Sequence, residues 1–263
     1  MNSVINFCLL LLISQSFAQT HDLSVLKGAH FIIYYAPEVS ERYVEKVKEE
    51  AEDLYRMITQ EFFLVREHPW IWEDRGKILI AKDKRDYEER FGCPLWSGAC
   101  VDYKGKAIYT YPGQENFPSI LCHELTHIIL REYIERMERL PLWFDEGVAM
   151  YTEFNYSSSV SFQHLVDSVE KLIKRREYIE FSQMEKLTPN SLKGKSPYYV
   201  KNFYLQAWSM INFLIERFGE VKFREFLSRL RRHCDFKEAL FSNYGLINNY
   251  QDFERLWKKF YLE

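Results

Sequence analysis

The sequence predicts an α+β fold: an N-terminal mixed sheet with helices, a central motif-bearing helix, and a helical C-terminal half. Three observations lead there. Up to about residue 115, short β-branched and aromatic runs alternate with amphipathic stretches. Residues 118–129 then carry apolar positions at helical spacing. Beyond Glu153 the 3.6-residue period of packed helices dominates.

The elements follow in chain order. Phe7–Ile13 is a short apolar run, and Ser16-Phe17-Ala18 has the small residues of a cleavage site, so residues 1–18 read as a secretory signal peptide. The run is too short to span a bilayer, although the usual Lys or Arg ahead of it is missing. No later stretch is long and apolar enough to cross a membrane, so no integral membrane association is expected, and a secreted or periplasmic location is. Residues 19–263 are expected to form one domain, with an α/β part over 19–115 and a helical part over 116–263. The net charge of −3 argues against a dedicated nucleic-acid binder.

His30–Tyr35, bounded by Pro37, reads as a strand. Glu38–Phe62 places Val44, Val47, Ala51, Leu54, Tyr55 and Ile58 on one face of a long helix. Lys77–Ala81 is a second strand, and a short helix lies near Asp86–Phe91. Cys93 and Cys100 flank a turn-rich loop, and an oxidising compartment favours a disulfide between them. Cys122 and Cys234 are left either as buried thiols or as a second pair. Val101–Tyr111 reads as a hairpin turning at Lys104-Gly105.

Pro118 suits a first helical turn, with Asn116 or Ser119 as the cap, and Ile120, Leu121, Leu125, Ile128 and Ile129 supply the apolar face. Pro141 opens another helix, in which Gly147 permits close approach to a neighbour. Ser159–Ile179, Tyr198–Phe218 (stopped by Gly219), Val221–Arg232 and Asp252–Leu262 complete the helical half.

The chemistry sits in His123-Glu124-Leu125-Thr126-His127. Residues four apart share a helix face, so His123 and His127 can offer both imidazoles to one ion. Glu124 lies beside them, within reach of a water on that ion. Eighteen residues on from His127, over 128–145, comes Glu146. A catalytic zinc site uses three protein ligands and leaves a place for water, and Glu146 is the third candidate. One Zn2+ is the expected cofactor. Cys122 points about 100° away round the helix and is not a ligand. The competing reading is two core histidines and a carboxylate at a helix terminus.

His-Glu-Leu-Thr-His followed at this distance by Trp143-Phe144-Asp145-Glu146-Gly147-Val148-Ala149-Met150-Tyr151 resembles the gluzincin metallopeptidases, relatives of thermolysin and aminopeptidase N, and most of all their small peptidase MA-like domains. The resemblance implies a thermolysin-like zincin fold, with His123, His127 and Glu146 on zinc and Glu124 as base. It also implies an edge strand that binds the substrate backbone, placed at Ala107–Tyr111 through Ala107, Ile108 and Tyr109. It further implies an oxyanion donor from the C-terminal part. Tyr204 is the candidate, with Tyr198 and Tyr199 as substitutes, and a packing role is the alternative for Tyr204.

The aminopeptidase segment whose glutamate grips the substrate amine is missing, since Ser97-Gly98-Ala99 has no glutamate. An endopeptidase acting on peptides or proteins is therefore expected. The other reading is a zinc-containing domain that binds peptide or protein without cleaving it. The presence of Glu124 favours the enzyme.

Overall fold

The structure is a computed structural model that describes residues 22–62, 64, 69–93, 98–114, 116–135, 140–156 and 160–263. The signal peptide read at residues 1–18 lies outside the described residues. The chain forms two compact units. One runs to Glu61 and takes in Val65–Ile128, and the other holds Phe62–Leu64 and Ile129–Glu263.

The first unit is built on a five-stranded mixed sheet of β1 (Ser24–Lys27), β2 (Phe31–Tyr35), β3 (Gly76–Ile80), β4 (Ala99–Asp102) and β5 (Ala107–Thr110), in the order β1-β2-β3-β5-β4. β2, β3 and β5 run parallel, while β1 and β4 pair antiparallel at the two ends. Parallel neighbours need crossovers. Helices α1 (Glu41–Glu61) and α2 (Lys84–Phe91) lie in those connections.

The register aligns Ile33, Ile78 and Ile108, all fully buried. Ile78, Leu79 and Ile80 are buried in succession, the mark of a strand covered on both faces. The expected apolar face of α1 is the buried one. His30, just ahead of β2, ties the middle of α1 to the sheet: its backbone N–H donates to Glu52 Oε1 at 2.8 Å, and its Nδ1 lies 2.6 Å from Oε2.

The hairpin turns where expected, with Lys104 N–H donating to Asp102 Oδ1 at 3.0 Å. Its placement corrects one expectation, however. β5, which contains Ala107, Ile108 and Tyr109, is paired with β3 on one side and β4 on the other. It is not an edge strand; β4 ends the sheet order. Both hairpin strands have similar side chains, and the parallel partner β3 selects which one is enclosed. The Cys93–Cys100 disulfide is present, its Cα atoms 6.1 Å apart, in a core with Leu79, Tyr87 and Phe91. Among the described residues, Cys122 and Cys234 are not joined to each other or to another cysteine by a disulfide.

Helix α3 (Phe117–Ile134) begins in the first unit and continues into the second. The second unit is otherwise helical: α4 (Leu142–Tyr156), α5 (Phe162–Lys174), the one-turn α6 (Phe181–Met184) and α7 (Pro189–Leu192), α8 (Pro197–Phe218), α9 (Glu220–Arg231), α10 (Phe236–Asn243) and α11 (Tyr250–Leu262). The α+β architecture read from the sequence is the one found. α8 starts with Ser196 Oγ accepting from Tyr199 N–H and stops at Gly219, whose φ of 89° suits a residue without Cβ. Every residue from Leu142 to Thr152 is buried, so α4 lies inside the unit. Trp143 and Phe144 pack edge-on against Phe236. Among the described residues no helix is long and apolar enough to cross a membrane.

α4 packs on α8 through Gly147. A Cβ there would lie 2.5 Å from the Ala207 carbonyl oxygen and 2.8 Å from Ile211 Cγ1. Backbone cannot give way as a side-chain tip can. Gly147→Ala is expected to destabilise the fold by about 1–3 kcal/mol despite alanine's better helix propensity. Urea unfolding measures this, and unchanged stability would show that the two helices part freely.

Candidate metal centre

The central helices carry polar side chains where packing alone would favour apolar ones. In α3, His123, Glu124 and His127 are all buried, and in α4 Glu146 is 1% exposed. Such groups are retained in an interior only when something there compensates their lost hydration. One ligand atom from each of His123, His127 and Glu146 lies within 4.8 Å of the others. The two Nε2 atoms are 3.1 Å apart, with the imidazole planes at 78°. Two nitrogens each about 2.0–2.1 Å from a tetrahedral ion stand about 3.3 Å apart. The spacing of the two nitrogens and the donor set, two imidazoles and one carboxylate, therefore suit a zinc ion.

Helix periodicity makes this arrangement. The four-residue step from His123 to His127 turns both rings to one side of α3. Glu124 is one residue along, about 100° round the axis and outside the three-residue cluster. Cys122 is also outside it, and its carbonyl accepts from Thr126 Oγ1 at 2.8 Å.

The remaining sequence candidates are placed differently. Tyr204 is buried in α8, its ring 5.3 Å from that of Phe203. It lies one turn before Ala207, the residue that meets Gly147 of α4. Tyr198 is exposed, and its hydroxyl donates to Glu177 at 2.5 Å. Tyr199 has the Lys195 ammonium 5.2 Å from its ring centroid. Ala107 and Ile108 are enclosed in the sheet. Tyr109 packs on Phe91 at 5.0 Å, and burial, with the Asp102 carboxylate nearby, raises its phenol above the ordinary value.

Two contacts near the centre have no counterpart in the sequence reading. Tyr103, in the hairpin turn, meets His127 edge to face with ring centroids 6.2 Å apart. Arg131 Nη2 donates to Asp145 Oδ2. The turn gave no motif to mark Tyr103. Arg131 repeats the four-residue step that relates the two histidines, but nothing in the sequence marked Asp145 as its partner.

Residues 115–263, more than half of the chain, match the family model described as Peptidase MA superfamily. No curated protein matches the sequence. Among solved structures, the chain is similar to native yeast LTA4 hydrolase, with a TM-score of 0.54 at 14% identity. The match covers 90% of this chain and 38% of that one, and at this identity the likeness is one of fold.

Proposed function

The chain belongs to the Peptidase MA superfamily, and on that premise we propose that it is a zinc metallopeptidase that hydrolyses peptide bonds in peptides or proteins. The convergence of His123, His127 and Glu146 carries the reading. These three residues would hold one zinc ion through two ring nitrogens and a carboxylate oxygen. A zinc ion bound there supplies a Lewis acid that polarises a carbonyl and brings the pKa of water to about 7.

This chain's own groups do the rest. A carboxylate oxygen of Glu124 takes the proton from the attacking water and passes it to the leaving amine nitrogen. The Tyr204 phenol is the proposed donor to the oxyanion, supported by its place on the helix that packs against α4. The strand proposed to bind substrate is β4, not β5; its place at the end of the sheet order supports this, since an extended peptide there would gain main-chain hydrogen bonds. Endopeptidase action is favoured because Ser97-Gly98-Ala99 offers no glutamate to hold a free amino terminus. Secretion is supported by the signal-peptide pattern read over residues 1–18 and by the Cys93–Cys100 disulfide.

The test is cleavage of an unfolded protein by the zinc-loaded chain, before and after a chelator. Hydrolysis is expected, lost on chelation and recovered when zinc is returned. Stoichiometric zinc without cleavage of any unfolded protein would instead make this a binding domain.

A further inference from the structure

Arg131 stands four residues after His127, and Asp145 one residue before Glu146. Arg131 Nη2 donates to Asp145 Oδ2, in an ion pair whose side chains are 27% and 5% exposed. The pair links the C-terminal part of α3 to the first turn of α4. On α3, Arg131 is one turn beyond His127, about 6 Å along the same face. On α4, Asp145 and Glu146 point about 100° apart. Each member of the pair is thus anchored next to a candidate ligand on its own helix.

This matters because α4 offers two adjacent carboxylates. Rotation of α4 by one residue's angle would bring Asp145 round to where Glu146 lies and carry Glu146 away. Composition does not distinguish the two acids, since both are short, charged and able to bind a metal. Their placement does distinguish them: Asp145 is paired with Arg131, and Glu146 is the acid that lies with the two imidazoles.

We propose that the Arg131–Asp145 ion pair is a positioning brace that fixes the rotation of α4 and so holds the Glu146 carboxylate at the two histidines. The inference rests on the zinc reading of His123, His127 and Glu146. Buried ion pairs are weak sources of net stability, and their best attested use is to set register. Asp145 also complements the positive end of α4. That second role predicts a change in stability alone, so the deciding quantity is zinc affinity.

The experiment uses the whole chain, freed of metal, with zinc titrated against a chromophoric chelator and melting of the metal-free protein followed in parallel. Arg131→Gln and Asp145→Asn are each expected to weaken zinc binding about 10–100-fold, the range seen when groups supporting a ligand are removed. The double variant should be no weaker than the worse single one, because the two substitutions remove one interaction. Asp145→Glu keeps the charge pair but lengthens it by one methylene. It serves where the neutral variants fail to fold, and about a 10-fold loss is expected there too. Variants that melt cooperatively and bind zinc as tightly as wild type, or single losses that simply add, overturn the brace and leave the metal site standing. A wild-type chain that binds no zinc overturns both.

Discussion

Glu124→Gln is expected to abolish turnover while leaving zinc in place. The substitution keeps the shape and hydrogen-bonding reach of the side chain but removes its ability to accept a proton. Positioned general bases contribute about 10²–10⁴-fold to rate, and in the proposed mechanism one group serves both proton transfers, so kcat should fall by about 10³-fold or more. Zinc should stay, because Glu124 lies outside the cluster of His123, His127 and Glu146. The fold should survive as well: a buried carboxylate at 4% exposure becomes a neutral amide of the same size, which lowers the cost of burial. Three measurements on one preparation check this: bound zinc, melting temperature, and cleavage of an unfolded protein. Undiminished cleavage with zinc bound would remove Glu124 from the mechanism. Loss of zinc along with activity would make Glu124 part of the metal's own support.

The elements that the sequence announced are those whose signals are local. α8, read as Tyr198–Phe218, starts one residue earlier at Pro197, where Ser196 caps it, and stops at Gly219 as expected. α1 showed its buried face as a 3.6-residue stripe. What stayed hidden depends on distant partners. β1 is four residues long, Ser-Val-Leu-Lys, and is a strand only because it pairs with β2. The order β1-β2-β3-β5-β4 is set by its two parallel pairings, Phe31 with Gly76 and Lys77 with Ala107, which are too far apart in sequence for a local window to contain. The short α10 depends on the Asp235 carboxylate accepting from Lys237 and Glu238 N–H, a cap too brief to stand out.

The metal site divides along the same line. His123 and His127 were legible because a four-residue step encodes a helix face. Glu146, which the structure brings to the two histidines, was legible because a catalytic zinc reading asks for a third ligand and the surrounding residues resembled a known family. Arg131 with Asp145 was not. Choosing one ion pair from 35 Lys and Arg against 38 Asp and Glu needs coordinates.

The second large effect concerns the ligands. Glu146→Gln and His127→Ala are expected to weaken zinc binding by more than about 100-fold, since groups merely standing behind ligands are already worth 10–100-fold. The two variants fail for different reasons. Gln keeps the volume of Glu146 but replaces an anionic oxygen by a neutral amide, so the metal-free protein should melt as wild type does or slightly higher. Ala at position 127 also empties space around a side chain that is 2% exposed, so part of its loss is packing. Zinc itself separates the two. A ligand that binds only the folded chain stabilises it by about 2.7 kcal/mol at one hundred times its Kd, and the wild-type melting temperature should rise accordingly. Neither variant should show that rise, whatever its starting stability. A zinc-dependent rise in Glu146→Gln equal to that of wild type would mean the third ligand has been misassigned. Asp145, the neighbouring acid held by Arg131, would then be the first residue to substitute next.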